Sequence, residues 1–313
     1  MSLRQVFDSH AASLVLRQRR WKLERHLHIF SSPRGGSTWL MSMLAQLPGV
    51  VPVWEPFHRT KGVVPRRWGA RPVASTLSVQ DLAHLRDVFS GRKHNAWTCS
   101  RSSMTRAWNA HTLLFKHVRA NHLLTWLLAE GPLDSPPILL VRHPWDIAVS
   151  QVKAFGARGR DLDVHDVFPG HHELHHHWPE LTSLKDPLVR QLHIWCLLNA
   201  RVVQDNAQRH DVVLVHYHDL VLSPKQELAR IVHALGWQPR DKGWEIDAYL
   251  DALDPNRASD TDFRGERKAE ATEQLWKNQT GLSQERLQKL QAVLDVHGYT
   301  LHRMGAIAPL KKR

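Results

Sequence analysis

Cysteine is almost missing from this chain of 313 residues, which has Cys99 and Cys196 and no others. Two cysteines so far apart supply neither a disulfide framework nor a sulfur site for zinc, and they read as buried free thiols of a reducing compartment. Long apolar runs are missing as well: the best, Leu123 to Ala129, falls far short of the roughly 20 residues that span a bilayer. The opening Met1-Ser2-Leu3-Arg4-Gln5 shows no apolar signal core with a cleavage site. Acidic residues are outnumbered, 30 against 42 Lys and Arg, and the resulting net charge of +12 calls for a polyanionic partner. Nucleic acid is one such partner. The cations are scattered, however, densest at residues 17–22 and 311–313, and no zinc finger, basic zipper or RNA-binding motif accompanies them. An anionic cofactor satisfies the same charge.

With 42% hydrophobic residues the chain can bury one sizeable core. Strand patterns occur at residues 27–31, 50–54, 112–118, 137–142 and 212–217. Helical spacing occurs at 38–47, 121–130, 145–155, 188–208, 224–235 and 284–296. The runs Ile138–Val141 and Val212–Val215 are wholly apolar, as expected where helices cover both faces of a sheet. This alternation predicts an α/β fold, a single domain with a central parallel sheet flanked by helices. Residues 59–110 and 156–186 are polar, rich in His, Arg, Pro or Gly, and read as long irregular insertions.

Between the first strand and the first helix lies Ser31-Ser32-Pro33-Arg34-Gly35-Gly36-Ser37-Thr38-Trp39-Leu40. A strand, a tight glycine turn and a helix aim successive backbone N–H groups at one spot at the positive end of the helix dipole, which suits phosphate. Arg34 adds a permanent cation, and Ser37 and Thr38 add hydroxyl donors. A nucleoside triphosphatase loop would place lysine directly before the serine, where Gly36 stands here. The plainer alternative is an ordinary turn before a helix capped by Ser37.

A second motif, Arg142-His143-Pro144-Trp145-Asp146-Ile147-Ala148-Val149-Ser150, sits where the fourth strand gives way to a helix. Arg142 stands at the carboxyl edge of that strand, the usual ligand edge of an open α/β sheet, and Ser150 lies on the helix that follows. An arginine and a hydroxyl converging there suit a phosphate monoester. Alternatively, Arg142 caps the sheet edge through Asp146, and Ser150 is an exposed helix serine.

Together the motifs resemble the sulfotransferase family that uses 3′-phosphoadenosine-5′-phosphosulfate. Pro33, Arg34, Gly36, Ser37, Thr38, Trp39 and Leu40 match its loop P-[KR]-x-G-[ST]-[ST]-W-L. Arg142, 108 residues after Arg34, opens a match to its 3′-phosphate motif R-[ND]-P-x-[DE]-x-x-x-S, from which His143 alone departs. His216-Tyr217-His218-Asp219-Leu220 through Pro224 resembles the turn Y-E-D-L-x-x-x-P, with His218 in place of the acid, and Trp276-Lys277 through Leu282-Ser283 resembles a C-terminal W…LS pattern. The likeness is nearer to bacterial and carbohydrate-type members than to cytosolic hormone-type ones. It implies a sulfotransferase fold like that of P-loop nucleoside triphosphatases over residues 27–300, between a basic extension at 1–26 and a basic tail at 301–313. The two insertions would shape the acceptor site.

By the same resemblance, Ser37, Thr38 and the amides from Gly35 and Gly36 to Thr38 would hold the 5′-phosphate, and Trp39 would belong to the nucleotide site. Arg142 and Ser150 would take the 3′-phosphate, and Tyr217 would flank the nucleotide. Arg34 would neutralise charge on the leaving oxygen. Arg264-Gly265 and Arg267-Lys268 resemble a basic C-terminal loop that meets the 3′-phosphate in some relatives, and an exposed salt-bridged segment explains them nearly as well. Glu55, in Val53-Trp54-Glu55-Pro56-Phe57 after the second strand, occupies a context in which relatives carry a catalytic glutamate. Apolar neighbours would raise its pKa and suit it to general-base work. Its plainer reading is a carboxylate paired with Arg59 or Lys61. His117 is the competing base, although it stands one residue earlier than the K-T-H pattern of hormone-type relatives, and Lys116 would contact the sulfonate.

The implied reaction moves a sulfonate group from the phosphosulfate to a hydroxyl or amine of a carbohydrate, lipid or small metabolite, with no metal and no nucleic acid. Without a membrane anchor before the domain, a cytoplasmic enzyme is expected. The segment Arg17 to Lys22 reads either as part of a basic amphipathic helix for a membrane surface or as a helix packed on the domain. The run His171-His172-Glu173-Leu174-His175-His176-His177 reads as a surface loop rather than a zinc cluster. Two rival functions remain: a P-loop kinase-like phosphotransferase, which needs magnesium, and a non-catalytic nucleic-acid-binding protein.

Overall fold

The computed structural model describes residues 3–19, 21, 26–131, 133, 135–156, 163–237, 245, 247–249 and 271–310. Five strands, β1 (Leu27–Ser31), β2 (Val50–Val53), β3 (Thr112–His117), β4 (Ile138–Val141) and β5 (Val213–His216), form one parallel sheet in the order β2-β3-β1-β4-β5. The helices are α1 (Leu3–Gln18), α2 (Ser37–Leu44), α3 (Val79–Phe89), α4 (Met104–Trp108), α5 (Leu124–Glu130), α6 (Pro144–Phe155), α7 (Val164–Val167), α8 (His172–Ser183), α9 (Pro187–Asn206), α10 (Tyr217–Leu222), α11 (Pro224–Ala234), α12 (Ala271–Trp276) and α13 (Gln284–Val296).

Strand pleating sorts the side chains between two faces. Leu27, Ile29, Leu114, Ile138, Leu140, Val213 and Val215 share a core with α2 and α11. On the other face Phe30, Leu139 and Val141 pack with α6, α9 and α13, while Val51, Val53, Leu113 and Phe115 pack with α1. The expected parallel α/β sheet is thus present. Edge strand β5 departs from the expectation of two covered faces: Val213 and Val215 are buried, whereas Leu214 and His216 are partly exposed.

The N-terminal segment is packed onto the domain. Ala12 and Leu16 of α1 are fully buried, Arg17 Nε donates to the His94 carbonyl at 2.8 Å, and an Arg19 amino group donates to the carbonyls of Ala107 and Trp108 at 3.0 and 2.6 Å. The insertions expected to be irregular contain helices. Ser78 and Asp81 form a reciprocal capping box that starts α3, and α8 runs through Pro179 in the stretch expected to be a histidine-rich loop. The aspartate in that box and the proline in that helix obscured both elements, because the usual signals are Glu or Gln in the box and no proline in the helix. Both cysteines are buried and unpaired, and burial pushes the Cys99 thiol up to about 11.

Four buried imidazoles, His26, His28, His94 and His117, line one region of the core. Burial holds His26 and His94 down to about 4 and His117 down to about 3. They stay neutral in the fold, while the same rings in the unfolded chain take up protons below pH 6.5. Their stabilising effect is therefore complete above pH 6.5 and lost as the pH falls, by about 1.4 kcal/mol per unit for each ring. The urea midpoint should drop steeply between pH 7 and pH 5. A midpoint flat across that interval would contradict the assignment.

Candidate active site

The chain leaves β1 towards β2 on one side of the sheet and leaves β4 towards β5 on the other. The carboxyl ends of these neighbouring strands therefore flank a crevice, the place where open α/β sheets bind ligands. The turn after β1 is held in a left-handed backbone at Arg34 (φ 70°) and Gly36 (φ 97°). A non-glycine residue in that region costs roughly 1–3 kcal/mol and persists only where its surroundings fix it. Here the Arg34 carbonyl accepts from Arg142 at 3.2 Å, Arg34 Nε donates to Ser150 Oγ at 3.0 Å, and Gln151 Nε2 donates to the Pro33 carbonyl at 2.8 Å.

The glycines are required by close approach. A Cβ on Gly35 would lie 2.3 Å from Ser31 Oγ, and one on Gly36 would lie 2.5 Å from the Tyr217 ring. Gly36 is the N-cap of α2 and makes no side-chain cap, so the helix begins with bare amides instead of being capped by Ser37. Trp39 packs edge-on to Tyr217 at 6.1 Å.

Across the crevice, the Arg142 guanidinium lies 4.4 Å over the Tyr217 ring, and its Nε is buried with no hydrogen-bond partner among the described residues. Asp146, the alternative partner for Arg142, instead accepts from Asn278 Nδ2 at 2.8 Å, which ties the C-terminal segment to α6. His143, the departure from the motif, is the N-cap of α6. Its Nδ1 accepts from the Trp145 amide at 3.2 Å while its Nε2 donates to the Arg303 carbonyl at 3.1 Å. Burial holds this ring below its ordinary pKa, so the accepting lone pair is kept.

Strand pleating assigns the two neighbours on β3 to opposite faces. Lys116 pairs in register with Ile29 and lies on the α2 face, where Nζ donates to Thr38 Oγ1 at 3.0 Å and to Glu55 Oε1 at 2.9 Å. His117 pairs with Phe30, is fully buried, and stacks among Phe30, Phe89, Phe115 and His28, so it does not join the Lys116–Glu55 group. Glu55 itself has a left-handed backbone (φ 36°), and Arg119 donates to its Oε2 at 3.0 Å. Its partners are thus Lys116 and Arg119. Arg59 bonds Asp166, and Lys61 lies over the Trp97 ring.

The pKa of Glu55 moves opposite to the expected direction. Burial pushes the carboxyl up, but the charges of Lys116 and Arg119 outweigh it, and the group lies below its ordinary value. Burial pulls Lys116 down to about 8 against the opposing pull of Glu55. Lys116 also stands 3.5 Å over the Trp54 ring.

Beneath the loop lies a buried network that motif matching did not reveal. Asn199 Oδ1 accepts from Ser32 Oγ at 3.0 Å and from Arg71 at 3.1 Å, and Trp195 Nε1 donates to Ser32 Oγ at 3.1 Å. His171 Nε2 joins the Arg71 carbonyl at 2.8 Å, so both insertions are tied to the base of the turn after β1. The available signal was an Asn four residues after Trp195 on a largely apolar stretch of helix. Arg119 was also readable, as a cation just past the carboxyl end of β3. Arg264, Gly265, Arg267 and Lys268 lie outside the described residues. His175, in the histidine-rich run, bonds the Phe168 carbonyl at 2.8 Å, and no group of three metal-ligating side chains occurs among the described residues.

Residues 27–241 match the family described as "Sulfotransferase family". Three solved structures are similar to the chain. The sulfotransferase domain of the Synechococcus PCC 7002 olefin synthase is 21% identical, with 91% of this chain and 100% of that chain covered and a TM-score of 0.44. A sulfotransferase domain from the curacin biosynthetic pathway is 17% identical, with 87% and 97% covered and a TM-score of 0.43. Mouse sulfotransferase SULT7A1 complexed with PAP is 13% identical, with 93% and 90% covered and a TM-score of 0.42. No curated protein sequence matches.

Asn199→Ala removes the acceptor shared by Ser32 and Arg71 and leaves both donors buried, which costs about 1–3 kcal/mol. Thermal unfolding should show the loss as a lowered melting temperature. An unchanged melting temperature would show that the network does not support the loop.

Proposed function

Because the chain belongs to the sulfotransferase family, we propose that it transfers a sulfonate group from 3′-phosphoadenosine-5′-phosphosulfate to a hydroxyl of an acceptor and releases adenosine 3′,5′-bisphosphate. One observation carries this reading: a single guanidinium, that of Arg142, joins both phosphate motifs. It bonds the loop carbonyl of Arg34, covers Tyr217 and keeps a buried Nε that has no partner among the described residues. A nucleotide with phosphates at both 5′ and 3′ positions fits such a pocket, with the bare amides of α2 on one side and Arg142 on the other.

When bound, the donor supplies an activated sulfur whose bond to the phosphate oxygen breaks as the acceptor oxygen attaches. The residues do the rest through position and charge. Gly35, Gly36, Ser37 and Thr38 hold the 5′-phosphate, Arg142 and Ser150 the 3′-phosphate, and Trp39 and Tyr217 wall the pocket. Arg34 and Lys116 offset the charge that develops on the leaving oxygen. Arginine stays charged, whereas Lys116, drawn down to about 8, gives up a proton more readily than a free lysine.

Glu55 takes the acceptor's proton. Lys116 and Arg119 keep it ionised at neutral pH and hold one oxygen each, so its remaining lone pairs have a fixed direction. A kinase-like reading requires lysine where Gly36 stands, and a side chain there collides with Tyr217.

Calorimetry with adenosine 3′,5′-bisphosphate, ATP and adenosine 5′-monophosphate tests the nucleotide. The bisphosphate should bind best, and Arg142→Ala should weaken it at least about tenfold. If the 3′-phosphate gave no advantage, or the variant bound as well as wild type, the assignment would fail. Glu55→Gln should lose roughly 10²-fold or more of turnover while still binding the nucleotide. Turnover close to wild type in that variant would remove Glu55 from the base role.

A further inference from the structure

Apolar side chains left in water are spread unevenly over this molecule. Among the described residues eleven large apolar side chains are exposed, and five of them, Val6, Phe7, Leu14, Met104 and Trp108, stand on α1 and α4. The other six fall one to a segment, on α3, α6, α10, α12, α13 and the C-terminal stretch. A single exposed apolar residue is ordinary, whereas a concentration of them on neighbouring elements marks a surface that meets something. The two helices are neighbours: α1 packs on α4, and Arg19, just past α1, donates to the Trp108 carbonyl at 2.6 Å.

Both helices are apolar on two sides. Ala12 and Leu16 of α1 are fully buried in the core formed with β2 and β3. Phe7 and Leu14, seven residues apart and therefore on one face, lie on the opposite side, with Phe7 70% exposed. In α4, Ala107 is buried while Trp108 next to it is 73% exposed. One apolar face suffices to hold a helix on its own domain, so the outward faces serve no packing need of the fold.

Charge on these elements is largely of one sign. Residues 3–19 carry Arg4, Arg17 and Arg19 against the single carboxylate of Asp8, and α4 carries Arg106 and no carboxylate. Arg4 and Arg17 are exposed, and the His94 carbonyl that Arg17 bonds is uncharged, so that contact does not cancel the guanidinium charge. The occupant of this face must accept aromatic and aliphatic side chains and supply negative charge beside them, which the boundary of an anionic bilayer does.

We propose that the outward face of α1 and α4 docks on an anionic lipid bilayer, with Phe7, Leu14, Met104 and Trp108 at the boundary between headgroups and acyl chains and Arg4 and Arg17 against the headgroups. This docking is independent of the transfer reaction proposed above. Leu14 also lines an open cleft of about 370 Å³ with Trp97, whose Nε1 donates to the Glu55 carbonyl at 3.3 Å, so docking sets the bilayer beside the wall that carries Glu55.

Flotation of the full chain with phosphatidylcholine–phosphatidylserine vesicles, against vesicles of phosphatidylcholine alone, tests the docking. The mixed vesicles should bind the protein roughly tenfold more tightly than the neutral ones. The double variant Phe7→Ser, Trp108→Ser leaves the net charge unchanged and removes only exposed apolar surface. It should bind the mixed vesicles roughly tenfold or more weakly and melt at the wild-type temperature. The control Val79→Ser, Val296→Ser removes exposed apolar surface elsewhere and should bind as wild type does. No binding to either vesicle, or equal binding to both, overturns the proposal. Wild-type binding by the Phe7, Trp108 variant also overturns it, because a protein of net charge +12 would then be adhering by charge alone. An equal loss in the control does the same. A wild-type dimer that the Phe7, Trp108 variant splits into monomers, without vesicle binding, would assign the face to a second copy of the chain and overturn the proposal too.

Discussion

Neighbouring strands β1 and β4 send the chain off in opposite directions, and the rest of the site depends on that divergence. It leaves room above their carboxyl ends for two turns that are far apart in sequence. The backbone of one turn is then fixed by side chains from the other: Arg142, Ser150 and Gln151 all bond residues 33–34. The strained backbone at Arg34 is thus stabilised by the strand and helix that complete the pocket. The two turns are therefore joined by hydrogen bonds into one unit.

Charge governs the surroundings of Glu55 in the same way. Burial alone would favour a neutral Glu55 and a neutral Lys116. Placed together, with Arg119 added, the carboxylate stays ionised, whereas burial keeps the ammonium below its ordinary pKa against the upward pull of Glu55. Sequence context suggested a hydrophobic pocket and therefore a raised glutamate. The cations that reverse the direction come from β3 and the turn after it, some sixty residues further along the chain. A pKa is a property of the assembled site, and local sequence is a poor guide to it.

Much of the rest was legible. The five strands and the helices at Pro144, Pro187, Pro224 and Gln284 announce themselves through apolar runs and periodicity, and their observed limits differ by a few residues at most. The phosphate loop and the Arg142 motif were readable because their geometry needs particular residues at fixed spacing. The assignment of Lys116 and His117 to opposite faces follows from pleating alone. What could not be read was whatever depends on distant partners. The base of the loop is held by Asn199, Arg71 and His171, drawn from three separate segments. The helices α3 and α8 were hidden for a local reason, a shortened capping residue in one and an internal proline in the other.

His143 has a consequence for recognising such sites elsewhere. What the start of α6 requires of that position is an unshared electron pair directed at the Trp145 amide. Asparagine and aspartate offer a carbonyl or carboxylate oxygen for the purpose. A neutral imidazole offers nitrogen, provided its surroundings keep the proton off, and the second ring nitrogen is then free to anchor the chain near Arg303. Three chemically different side chains are therefore equivalent there, while leucine or lysine, similar in bulk, are not. A search pattern written in letters would discard this chain at one position, and one written in lone pairs would retain it.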